Sequence, residues 1–146
     1  MTPTLAAYLD QHGFPSDDLS ATQADGRFTP LMRACKEGRM DIVEELLTLG
    51  VDLGVLNADG CNALWLACYN GNHAIVQRLI DAGISIDNQN GNGATALMYV
   101  SSNSKPDLVK LLLDNGANPR LKNFDDFTAR DLAASRECLS LLRNAG

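Results

Sequence analysis

The chain has 146 residues, of which 45% are hydrophobic and only 5% aromatic, and its formal net charge is −6. This length suits one domain with a buried core, and the negative charge, with no local cluster of Lys or Arg to override it, predicts no nucleic-acid partner. No apolar run approaches the roughly 20 residues that span a bilayer, and the first five residues lack the basic and apolar stretches of a secretory signal. We therefore expect a cytoplasmic protein that does not bind membranes.

Residues 1–24 predict a capping helix followed by a loop. Leu5, Leu9 and Gly13 have the spacing that apolar residues and glycines have in later helices. Asp10 stands where the later helices carry an apolar residue, which is expected if this side faces water at the end of a stack. We therefore expect a single helix over residues 4–13.

A complete pair of helices is predicted from Thr29 onward. Thr29 is suited to cap the backbone N–H groups of a first helix, and Pro30 fits its first turn, where the missing donor is harmless. Gly38 ends that helix, and a second begins near Met40 with apolar residues on one face. Gly50 ends the second helix in a left-handed conformation.

The same pattern returns every 33 residues, which is the mark of a stacked helical array. The matched positions have different structural roles. Thr95 is suited to cap a first helix as Thr29 does, and small residues recur where two helices must approach closely, as in Ala34-Cys35 and Ala67-Cys68. The matched sets are Gly50, Gly83 and Gly116; Leu31, Leu64 and Leu97; Ile42, Ile75 and Leu108; Val43, Val76 and Val109; and Leu46, Leu79 and Leu112.

The third and fourth copies depart from the pattern. Ser104 replaces the glycine between the two helices and Pro106 follows, so we expect a slightly altered turn with Pro106 in the first turn of the second helix. Thr128 opens a fourth copy, whose second helix is predicted to be shortened to about residues 137–143. Arg130 and Asp131 replace apolar residues there, which is typical of a C-terminal capping unit.

These residues closely resemble the ankyrin repeat, whose signature includes a turn with Asp-Gly, then Thr-Pro-Leu-His, a small pair, and a helix ending at Gly. The resemblance covers about residues 25–146, as repeats at about 25–57, 58–90, 91–123 and 124–146. It implies an all-α solenoid of helix-turn-helix repeats with capping units at both ends and one continuous core. The signature His is absent, because its positions hold Met32, Trp65, Met98 and Asp131.

The resemblance implies that a protein partner binds to the concave face lined by turns and first helices. We therefore expect an adaptor, inhibitor or regulatory subunit whose binding residues lie where the repeat leaves the sequence unconstrained. Trp65, Leu66, Tyr69 and Tyr99 would form an aromatic contact patch, unless Trp65 only fills the space of the missing His. Arg33 and Lys36 would steer an acidic partner, or would simply be solvated. The predicted partner-binding residues are Arg27, Phe28, Arg33, Lys36, Cys61, Trp65, Leu66, Tyr69, Tyr99 and Phe127.

Other functions have less support in the sequence. No nucleophile, base and orienting group can be assembled from the repeat geometry, so we expect no enzyme and no cofactor. The four cysteines show no metal-ligand spacing, so we expect thiols and no metal. One alternative is a redox role for Cys61 near a turn tip. Another is self-assembly, although capped ends favour a monomer.

Overall fold

The computed structural model describes residues 1–145 of the chain. These residues contain nine α-helices and no β-strand. The predicted all-α class is therefore confirmed. The chain divides into two compact units, residues 1–84 and a second unit that begins at Ser85. The first unit contains α1 (Pro3–Gln11), α2 (Pro30–Glu37), α3 (Met40–Thr48), α4 (Ala63–Asn70) and α5 (His73–Asp81). The second contains α6 (Ala96–Ser102), α7 (Pro106–Asp114), α8 (Ala129–Leu132) and α9 (Arg136–Ala145). One core continuous through all repeats stays a prediction.

Threonine side chains begin the first helix of three repeats, as predicted. The hydroxyls of Thr29, Thr95 and Thr128 each accept a hydrogen bond from the backbone N–H three residues later. In the last repeat, Asp131 stands where the signature has His, and its carboxylate accepts hydrogen bonds from the backbone and the hydroxyl of Thr128. These bonds satisfy N–H groups that a helix start leaves without partners.

The core of the first unit lies between paired helices and between α2 and α4. Ile42, Val43 and Leu46 of α3 are buried, and so are the equivalent residues of α5. Small side chains lie where α2 and α4 pack together, and all of them are fully buried, namely Ala34, Cys35, Ala67 and Cys68. Their small volume lets the two helices approach closely, which confirms the predicted core contacts.

Helix α1 packs against α3 at the start of the first unit. Leu5 and Leu9 are buried and Asp10 is exposed, as the predicted cap requires. The cap also buries Tyr8, whose hydroxyl donates a 2.7 Å hydrogen bond to the Glu37 carboxylate. Burial first, and then the neighbouring carboxylate, raise the pKa of Tyr8 well above its usual range.

The second unit contains the predicted altered turn. Pro106 is in the first turn of α7, where proline is tolerated, and α6 ends one residue earlier than α2 and α4 do in the repeat. Ser104 adopts a left-handed backbone with φ 55°, although glycine occupies this position in both earlier copies.

The last repeat differs from its prediction. We expected a second helix shortened to about residues 137–143, but α9 has 10 residues, from Arg136 to Ala145. The first helix is the short one, because α8 has only 4 residues and Ala133 then adopts an extended backbone. Helix α9 thus begins three residues earlier than the 33-residue period places it. Cys138 and Leu142 become its buried residues as a result.

Candidate protein-binding surface

The surface of the first unit is built on hydrogen-bonded turns that precede α2 and α4. The Asp25 carboxylate accepts from the backbone N–H of Arg27 at 3.0 Å, which fixes the turn before α2. The next turn is joined to it, because Ala58 N–H donates to the Gly26 carbonyl at 2.8 Å and the Asn57 amide donates to the Arg27 carbonyl at 3.2 Å. These bonds connect neighbouring turns without the family's histidine. Asn57 was not identified as a turn residue from the sequence, although Asn recurs at positions 90 and 123.

Phe28 forms the base of a cluster of basic side chains. Its ring lies 5.6 Å from the Arg27 guanidinium carbon, 5.5 Å from that of Arg33 and 5.0 Å from Lys36 Nζ. Distances within about 6 Å of a ring centroid allow attraction between a cation and the π electrons. Phe28 was expected at a position free for partner contact, but only 7% of it is exposed. Its part in any binding would therefore be to hold the three cations in place.

Tyr69 extends this cluster onto α4. Lys36 Nζ lies 5.7 Å from the centroid of the Tyr69 ring, and 58% of Tyr69 is exposed. The structure thus brings five of the predicted residues together, and we call them the basic-aromatic cluster. Its members are Arg27, Phe28, Arg33, Lys36 and Tyr69.

The remaining predicted residues of the first unit are half-buried. Trp65 and Leu66 lie on α4, and Cys61 lies in the turn before it. Partial burial of Trp65 is compatible both with a contact surface and with filling the space of the absent His, so its role stays a prediction. The other three cysteines, at positions 35, 68 and 138, are buried. Burial raises the pKa of the Cys35 thiol strongly, and the nearby Cys68 adds to this.

Arg33 differs from its basic neighbours because a carboxylate neutralises it. Its Nε lies 2.9 Å from Glu37 Oε2, one turn along α2. Burial raises the pKa of Glu37, but hydrogen bonds from Tyr8 and Arg33 outweigh it and hold the pKa below its usual value. Within residues 1–145, no carboxylate forms an ion pair with Arg27 or Lys36. These two residues therefore retain positive charge that a partner can meet.

The second unit carries its own aromatic residues. Tyr99 is half-buried on α6, and Lys105 Nζ lies 5.4 Å from its ring centroid. Phe127 is 48% exposed in the turn before α8, and Phe124 in the same turn is 75% exposed. Phe124 was not among the residues predicted from the sequence. The repeat itself held the signal, because the equivalent turn positions hold the small residues Ala58 and Gly91.

Residues 1–145 contain neither a metal-binding cluster nor a membrane-spanning helix. No group of three or more His, Cys, Asp or Glu within residues 1–145 is placed to hold a metal ion. Over the same residues, every helix is too short or too polar to cross a bilayer.

Comparison with known proteins supports a repeat architecture. The family described as ankyrin repeats (3 copies) matches residues 7–90, 31–123 and 74–145. This chain belongs to the ankyrin repeat family. Ankyrin repeat proteins are generally protein-protein interaction modules and are typically not enzymes. No curated protein matches the sequence.

A solved ankyrin repeat structure is similar along most of the chain. It is the ankyrin repeat domain of Bcl-3, described as a unique member of the IkappaB protein family, with 29% sequence identity and a TM-score of 0.82. The match covers 91% of this chain but only 59% of that one. The chain studied here therefore spans less than two thirds of that structure's length.

Proposed function

We propose that this chain is a non-enzymatic adaptor, inhibitor or regulatory subunit that binds a protein partner through its turns and first helices. The observation that carries the proposal is the basic-aromatic cluster of the first unit. Tyr69 is well exposed there and lies beside Lys36, so an apolar contact and a charge are offered together. Aromatic residues and Arg are overrepresented at interface centres, and a few such residues supply most of the binding energy.

A second line of support comes from where these residues lie in the repeat. Arg33, Leu66 and Tyr99 occupy one repeat position, and Lys36 and Tyr69 occupy another. Neither position requires a particular type of residue, whereas the core positions hold the same type of residue in each repeat. Side chains that vary on a constant scaffold are suited to recognition. A monomeric state and a cytoplasmic location, where thiols stay reduced, are part of the same proposal.

Affinity capture with a matched pair of variants tests the proposal. Tyr69→Ala with Tyr99→Ala removes one ring from a first helix of each unit. Leu49→Ala with Leu113→Ala removes two apolar side chains from the end of α3 and from α7. We expect the tyrosine variant to lose a partner that the wild type and the leucine variant both retain. Equal capture by both variants, with unchanged far-UV circular dichroism, would exclude the proposed face.

A thiol-redox function is the second candidate. It is favoured by one observation, that Cys61 is half-buried while the three other cysteines are buried. It predicts that Cys61→Ser abolishes a response to oxidant while capture of the partner by reduced protein is unchanged. Self-assembly, the third alternative, predicts a mass in light scattering that rises with protein concentration.

A further inference from the structure

Charge is distributed unequally between the two units, and also within the first one. Residues 1–84 contain five basic and eleven acidic side chains, which gives a formal charge of −6. Residues 85–146 contain seven of each and are formally neutral. The whole net charge of the chain thus belongs to its first unit. Even so, three of the five basic residues of that unit lie on the single ring of Phe28.

The two remaining basic residues of the first unit are used within the protein. Arg39 pairs with Asp41 at 2.9 Å and Arg78 pairs with Glu44 at 2.7 Å. Arg27 and Lys36 instead lie on an aromatic ring, which attracts a cation but leaves its charge in place. The ring also limits the motion of both side chains, so less entropy is lost when they bind a carboxylate. The unit therefore holds two preorganised positive charges in acidic surroundings.

An open groove of about 400 Å³ adjoins the cluster on its Arg27 side, and Lys36 and Tyr69 lie outside its lining. Arg27, Phe28 and Arg33 line it together with His12 and Gly13, which follow α1. Asp25 adds a negative charge, but one of its oxygens already accepts the backbone N–H of Arg27. A groove of this volume has room for a few side chains of a bound segment.

We infer that the basic-aromatic cluster binds a short acidic segment of the protein partner, with carboxylates at Arg27 and Lys36 and an apolar side chain on Tyr69. This inference rests on the proposed function and names its partner chemistry. Charge complementarity favours it, because a short segment meets only the local cations. A nucleic acid carries charge along its whole length and would also meet the acidic side chains of the same unit. Anionic lipid headgroups would do so as well.

A displayed library of random 12-residue peptides, selected on the full chain, tests the inference. We expect the selected peptides to be enriched in Asp and Glu together with an aromatic or aliphatic residue. One selected peptide is then titrated against Arg27→Gln with Lys36→Gln, and against a control of equal charge change, Lys122→Gln with Arg143→Gln. At about 0.5–1 kcal/mol for each of the two exposed charge pairs, the first variant should bind roughly five- to thirtyfold more weakly.

Each outcome decides between the inference and its competitors. The control variant should bind as the wild type does, and binding should weaken as salt rises. Selected peptides without acidic enrichment, or equal binding by both variants, would overturn the inference. So would tighter binding to single-stranded DNA or to phosphatidylserine vesicles that depends on Arg27 and Lys36. A partner lost by the Tyr69/Tyr99 variant but kept by the Arg27/Lys36 variant would refute this inference alone and leave the proposed function standing.

Discussion

Replacing Ser104 by glycine should stabilise the protein, because Ser104 already has the backbone of a glycine. Its φ of 55° is left-handed, as are the values of 73° at Gly38 and 85° at Gly71, the equivalent positions. The hydrogen bonds of the turn also match. Ser104 N–H donates to the Ser101 carbonyl, and Lys105 N–H donates to that of Val100, just as Gly38 and the residue after it do in the first repeat. Glycine would therefore fit without rearrangement.

The size of this effect follows from two opposing costs. A left-handed backbone costs a residue with a Cβ about 1–2 kcal/mol. Glycine in turn loses more freedom on folding, at a cost of about 0.4–1 kcal/mol. The middle values of these two ranges predict that S104G raises the free energy of unfolding by about 0.8 kcal/mol, or the melting temperature by about 2–4 °C for a chain of this length.

Thermal and urea unfolding followed by far-UV circular dichroism would measure the change. Ser102→Gly is the matched control, because it makes the same replacement at the last residue of α6, where the backbone is helical, and should destabilise by roughly 0.5 kcal/mol. Gly71→Ser is the reciprocal change, since a Cβ at Gly71 would meet nothing within 4 Å and only the backbone cost would apply. If S104G were neutral or destabilising, or if Gly71→Ser had no cost, the left-handed backbone would not explain stability at this position.

Three further predictions concern the cap, a helix start and the thiols. Tyr8→Phe should lower the free energy of unfolding by about 1–2 kcal/mol, because Glu37 loses a hydrogen bond. The pKa of Glu37 in the folded protein lies below its ordinary value. The stability that ionised Glu37 contributes is therefore present above about pH 4.3 and is lost as pH falls through the folded pKa. The urea midpoints of the wild type and Tyr8→Phe, measured from pH 7 to pH 3, should converge. Thr95→Ala removes the cap on Met98 N–H and should cost about 1 kcal/mol by the same assay, whereas an unchanged midpoint would show the cap to be dispensable. Iodoacetamide should alkylate Cys61 first in the native protein, as peptide mass spectrometry would show. Equal labelling of all four cysteines would contradict the burial of the other three.

Features set within one helical turn could be predicted from the sequence. Thr29 and Thr95 cap helices, Pro106 begins one, and the glycine at position 50 ends one, because each role depends on a residue and its nearest backbone groups. Asp10 of the cap was predicted to be exposed because it replaces an apolar residue of the later helices at the end of the stack.

Features set by packing or by length could not be predicted in the same way. Phe28 and Phe127 occupy one repeat position, yet 7% of the first and 48% of the second is exposed. Three long basic side chains cover Phe28. The repeat pattern does not predict this burial, because it does not specify which side chains pack over a surface ring. The single turn of α8 was not predicted, because the repeat period carries forward a first helix of full length. Phe124 was missed because it lies four residues before the N-cap of α8, whereas the predicted contact positions lie in the first helices or directly before them.

The changes in repeat length also indicate where the chain tolerates engineering. Glycines that end second helices are 33 residues apart from Gly50 to Gly116, but Gly13 and Gly50 are 37 apart and α9 begins three residues early. An inner repeat contacts a neighbour on each side, so an added residue there would disturb two interfaces, whereas an end repeat has one. Residues 15–18, which are exposed, are therefore a suitable place to graft a tag, a fluorophore-bearing loop or a fusion partner.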